Sequence, residues 1–162
     1  MRQKARSTIL IMVLAVAAFL AVQAQAGERY PSRTIATIRG EINFGGNSGE
    51  TTTFTRLYPD GSTAPFSLPS NKVFVVTDVE WLARSGAEKT ILLYLKLNNL
   101  AIYEGIMKIQ GAAGPGPDIY AKSSDHLSAG FVINSPNDLK AEAHADNGAW
   151  MWVDLRGYFS PK

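Results

Sequence analysis

The sequence predicts an all-β fold: one antiparallel β-sandwich of about eight strands, jelly-roll-like, behind a cleaved signal peptide. Three observations carry that expectation. After position 33 the apolar residues recur with period two, and no sustained helical period of about 3.6 is found. Turn-forming clusters interrupt the apolar segments often, as fourteen glycines and eight prolines in 162 residues require. The composition, 46% hydrophobic and 19% charged, is that of a globular chain and excludes a disordered or collagen-like one.

The chain opens with Arg2, Lys4 and Arg6, continues with an unbroken apolar run from Ile9 to Val22, and places Ala24 and Ala26 where a signal peptidase reads small residues. Cleavage is expected after Ala26, leaving residues 27–162 as a single β-sandwich domain. The apolar run falls short of the roughly 20 residues of a membrane-spanning helix, so no stable membrane anchor is expected after cleavage. The expected location is secreted or periplasmic. The chain has no cysteine, which excludes both disulfides and a lipid-modified cysteine anchor. Removing three basic residues changes the formal charge from +2 to −1. A near-neutral chain without basic clusters lacks the footprint that holds phosphate backbones, so nucleic acid is not an expected partner.

The period-two pattern places strands at Thr34 to Ile42, Thr51 to Tyr58, Lys72 to Leu82, Thr90 to Leu97, Leu100 to Gly105, Ser128 to Ile133, Leu139 to Ala145 and Ala149 to Phe159. The separators include Pro59-Asp60-Gly61-Ser62, Ser85-Gly86, Asn98-Asn99 and Ser135-Pro136-Asn137-Asp138, residues that pre-set φ or tolerate positive φ. Val73, Val75, Thr77, Val79 and Trp81 share one expected core face, as do Ile91, Leu93, Leu95 and Leu97. Phe74, Val76, Leu92 and Tyr94 make the opposite faces apolar too, which places both strands centrally in a sheet or under a loop. Asn98-Asn99 suits a two-residue hairpin pairing Leu97 with Leu100, Leu95 with Ile102 and Tyr94 with Tyr103. Gly111 to Asp118 reads as a long loop, either functional or mobile.

The segment from Leu139 to Phe159 carries the candidate site. With Asp146-Asn147-Gly148 as a three-residue loop, Ala143 would face Met151, Ala141 Val153 and Leu139 Leu155, an entirely apolar face. The other face would pair His144 with Trp150, Glu142 with Trp152 and Lys140 with Asp154. That register gathers Trp150, Trp152, Tyr158, Glu142, His144, Asp154 and Arg156 on one polar sheet face. Two tryptophans among charges are unusual, because large apolar surfaces seldom face water in a monomer.

The expected function is therefore non-catalytic: a protein–protein contact or self-assembly through this aromatic face, with a homo-oligomer as one outcome. A carbohydrate-binding module using the same aromatics for stacking is the alternative, and a small secreted hydrolase or lyase ranks last. His126 and His144 are the only histidines and share no ligand spacing, so no metal and no cofactor are expected. Asp125 beside His126 is an acid/base candidate, but a surface turn before the Ser128 strand accounts for it better, and nothing in the sequence supports glycosidase chemistry on Glu80, Glu104 or Glu142.

Overall fold

The computed structural model describes residues 35–110, 119–146 and 148–162. The expected signal peptide, the Gly111 to Asp118 loop and Asn147 lie outside the described residues. The described chain is all-β, with β1 (Ile35–Phe44), β2 (Ser48–Thr51), β3 (Phe54–Leu57), β4 (Thr63–Pro65), β5 (Lys72–Ser85), β6 (Lys89–Leu97), β7 (Leu100–Ile109), β8 (Ile119–Ile133), β9 (Leu139–His144) and β10 (Ala149–Pro161). The single 3₁₀ turn at Pro136–Asp138 is the one helical element among the described residues.

Two antiparallel sheets form the sandwich. The larger has the order β4-β3-β1-β10-β5-β8 and the smaller β2-β9-β6-β7. Period-two alternation produces the interior directly: Met151, Val153 and Leu155 of β10 face Ile91, Leu93 and Leu95 of the other sheet's central strand, and all are fully buried. Each such side chain contributes about 1.5–3 kcal/mol relative to exposure. Phe66, Phe74 and Phe159 pack as an aromatic group, with centroids 5.6 and 5.3 Å apart along the series.

β5 shows why its sequence is apolar on both sides. A bulge at Thr77 breaks its register with both β10 and β8, where Val76 and Asp78 are paired and Thr77 is passed over. The extra residue reverses the parity of the strand. Phe74 and Val76 therefore point inward before it, and Val79, Trp81 and Ala83 after it, all at 0% exposure. Val75 and Thr77, expected in the core, are instead half-buried. Gly157 of β10 sits opposite this bulge, where an added Cβ would lie 1.9 Å from the Val75 carbonyl oxygen. The two backbones approach so closely that no side chain fits between them.

The Asn98-Asn99 turn forms as expected, with φ of 51° and 65° at the two asparagines and Leu97 paired with Leu100. Beyond it a bulge shifts the ladder, so that Leu95 pairs with Tyr103 and Tyr94 with Glu104. The continuous strand expected over Thr51 to Tyr58 is two strands in different sheets: β2 pairs with β9, and β3 with β1. The Thr51 hydroxyl accepts from the Thr53 amide at the crossing, a local bond that turns the chain from one sheet to the other. β7 and β8 run further than expected, to Ile109 and from Ile119, and in β8 the added stretch carries Lys122, Ser124 and His126 on its outer side.

The largest correction concerns β9 and β10. They are not a hairpin: β9 pairs with β2 and β6, while β10 pairs with β1 and β5. Ala143 lies beside Gly49 and Leu93, not Met151, and Met151 lies beside Ile42 and Ala83. Both strands do turn the expected residues inward. Alternation records which side of a strand meets the core, and two strands on facing sheets satisfy it as well as two neighbours in one sheet.

Candidate functional site

β10 runs through the middle of the larger sheet, so its even-numbered residues stand on the outer face with neighbours from β1 on one side and β5 on the other. Trp150 and Trp152 are half-buried there, with ring centroids 4.0 Å apart and planes inclined by 52°. Glu41 of β1 accepts a 2.5 Å hydrogen bond from the Trp150 indole N–H, and the Arg84 guanidinium of β5 lies 5.5 Å from that ring's centroid. Among the described residues nothing accepts from the Trp152 indole N–H.

Below the tryptophans runs a band of ion pairs. Arg39 clamps Asp154 with two bonds of 2.7 Å, and Asp154 is only 7% exposed. A bidentate pair this well shielded leaves neither partner's charge unpaired. Arg156 and Lys122 both reach Glu80, at 3.2 and 3.0 Å. Further along, Ile35, Tyr158, Val75 and Val132 form an apolar row across β1, β10, β5 and β8.

The expected site divides in two. Trp150, Trp152, Asp154, Arg156 and Tyr158 share the outer face of the larger sheet, but Glu142 and His144 belong to β9 and stand on the outer side of the smaller one. There Glu142 pairs with Lys96 at 2.5 Å, and the His144 ring meets the Tyr94 ring edge-on at 5.5 Å. Partial burial pushes the Glu142 carboxyl up, but the Lys96 hydrogen bond with help from Lys140 outweighs it, and its pKa falls below the ordinary value. Lys140 binds Glu50 at 3.0 Å rather than Asp154.

Beside Trp152 the sheet carries a groove of about 450 Å³, lined by Arg39, Glu41, Thr51, Thr53, Thr55, Leu57, Thr63 and Trp152. All of its lining residues except Trp152 come from the first half of the chain. The alternation of β1 already sets Arg39 and Glu41 opposite Ile38 and Ile42, but nothing in the sequence announces that β1 lies against β10.

His126 binds Asp78 through Nδ1 at 2.8 Å in a cleft of about 290 Å³ that also holds Ser124, Asp125 and Arg156. The hydrogen bond from His126, joined by one from Thr77, holds the Asp78 carboxyl below its ordinary range. A carboxylate on Nδ1 is the arrangement that orients a general base. The imidazole side chain is 74% exposed, however, and its neighbour Asp125 is occupied by the Tyr103 hydroxyl, which is the geometry of a surface ion pair.

Burial, reinforced by that bond to Asp125, raises the Tyr103 pKa. The folded form therefore keeps its phenol protonated where the unfolded chain ionises, at about pH 10, so this contribution is fully present below that pH and is lost progressively as pH rises above it toward the folded pKa. Denaturant midpoints measured from about pH 8 to 11 are expected to fall, and Tyr103→Phe to make that fall shallower. An identical slope in the variant would remove the phenol as its source.

No protein-family model matches this chain, and no curated protein resembles it closely enough to count as a relative.

Proposed function

We propose that the chain is an exported, non-catalytic jelly-roll module that binds a protein, a second copy of itself included, through the outer face of its larger sheet. The winding supports the jelly-roll reading: β1, β10, β5 and β8 stand over β2, β9, β6 and β7, and the chain changes sheet after β1, β2, β5, β7, β8 and β9. Export rests on the Arg2 to Ala26 pattern.

One observation carries the binding reading. Trp150 and Trp152 form an aromatic pair on an outer face, with Trp150 held by Glu41 and Arg84, where folding itself leaves their surface only partly used. Tryptophan and arginine at the centre of a rigid surface are the residue types that dominate contact energy between proteins. Size-exclusion chromatography with light scattering on residues 27–162 is expected to show an assembly that dissociates on dilution and is weakened by Trp152→Ser. A strict monomer at high micromolar concentration, unchanged by Trp152→Ser, would argue against self-assembly.

A further inference from the structure

We infer that the groove beside Trp152 is a binding site for a neutral saccharide. The inference rests on the outer face of the larger sheet being the working face, and it adds a ligand class that the assembly reading does not supply. The argument starts from what lines the groove. Trp152 offers one half-buried aromatic surface with an indole N–H that no described residue accepts. Thr53, Thr55 and Thr63 offer hydroxyls, Glu41 a carboxylate and Arg39 a guanidinium, while the Thr51 hydroxyl is taken by the Thr53 backbone. A sugar ring presents apolar C–H faces and a rim of hydroxyls that both donate and accept, and this lining matches both.

Charge narrows the choice. Arg39 is already neutralised by its two 2.7 Å bonds to Asp154, and the remaining charged group in the lining is the carboxylate of Glu41. No unpaired cation is left over for a phosphate, sulfate or sugar acid, so an acidic saccharide is disfavoured against a neutral one. Preorganisation supports binding: Arg39 is fixed by Asp154, and Glu41 by the Trp150 indole at 2.5 Å.

An extended peptide fits less well. β3, which runs along the groove, is paired on both sides, with β1 and β4, so it offers no free edge for strand addition. The lining holds only Leu57 as an aliphatic anchor. The volume of about 450 Å³ lies within the ~300–1,000 Å³ usual for small-ligand sites and suits a short oligosaccharide.

The test uses residues 27–162, intrinsic tryptophan emission, and separate titrations with the hexamers of cellulose, amylose, chitin and β-mannan, with hyaluronan and alginate oligomers as acidic controls. At least one neutral hexamer is expected to shift the emission. The double variant Thr55→Val/Thr63→Val, which keeps β-branched shape at two surface positions, is expected to weaken that binding at least about tenfold. Trp152→Ala is expected to abolish it, and if that variant misfolds the threonine variant decides alone.

Silence from every neutral hexamer up to about 10 mM overturns the inference, since affinity weaker than that has no specific meaning. Binding confined to the acidic oligomers, or undiminished in the threonine variant, overturns it as well. Light scattering on the same samples separates the two proposals. Tryptophan-dependent assembly without sugar binding sinks the saccharide and leaves the protein-contact face standing, whereas loss of both sinks both.

Discussion

Gly157→Ala is expected to cost more than about 4 kcal/mol, a large share of the ~5–15 kcal/mol that holds a domain of this kind together. An ideal Cβ at Gly157 would stand 1.9 Å from the Val75 oxygen, 2.8 Å from its carbonyl carbon and 2.9 Å from the Val76 Cα. All three are backbone atoms, so no rotamer change relieves the clash. The strands would have to separate, and they are β10 and β5, neighbours in the interior of the larger sheet. Urea unfolding followed by tryptophan emission should show the transition shifted to much lower denaturant or absent. Gly86→Ala is the control, since nothing lies within 4 Å of a Cβ added there, and it should stay within about 0.5 kcal/mol. An unchanged midpoint for Gly157→Ala would refute the pairing at the Thr77 bulge.

Trp81→Ala is expected to cost about 3–5 kcal/mol through the cavity it leaves. Trp81 is 0% exposed on β5 and stacks on Tyr103 at 6.5 Å with planes 22° apart, bridging the two sheets. Its indole N–H is buried and, among the described residues, finds no partner of good hydrogen-bond geometry, with only the Tyr103 hydroxyl near it. Trp81→Phe therefore keeps most of the packing while removing an unsatisfied donor, and it should cost less than about 1.5 kcal/mol. Chemical unfolding of the two variants side by side checks the order. Equal losses would mean that the indole nitrogen has a partner, or that ring area matters less here than exact shape.

How these two positions could be found differs. Trp81 stands in an alternating apolar run, so its burial follows from parity and needs no knowledge of its neighbours. Gly157 looks like any strand glycine among aromatic residues. Its role depends on the bulge at Thr77, a place where two distant strands come together with unequal residue counts. Period-two alternation places Val75 and Thr77 in the core for the same reason: it carries parity through an inserted residue, and the structure does not.

The candidate site divides along the same line. Parity along β10 was legible, and it set Trp150 and Trp152 on the outside with Asp154, Arg156 and Tyr158, opposite Met151, Val153 and Leu155. The assignment of Glu142 and His144 to that face required β9 to be a hairpin partner of β10, which proximity in sequence suggested and the sandwich does not follow. Arg39, Glu41, Thr55 and Thr63 reach the tryptophans only because β1 and the β3–β4 pair extend the sheet on that side.

From residues in order one can read the fold class, most strand positions, the turn at Asn98-Asn99 and the inward side of nearly every strand. These follow from local rules: backbone sterics at the turns, and a side-chain period of two against one buried face. Which strands lie side by side, where a bulge reverses a face, and which distant residues share the groove at Trp152 belong to the assembled molecule. Alternation looks the same whichever neighbour satisfies it, and the choice among neighbours is made by the packing of all the strands at once.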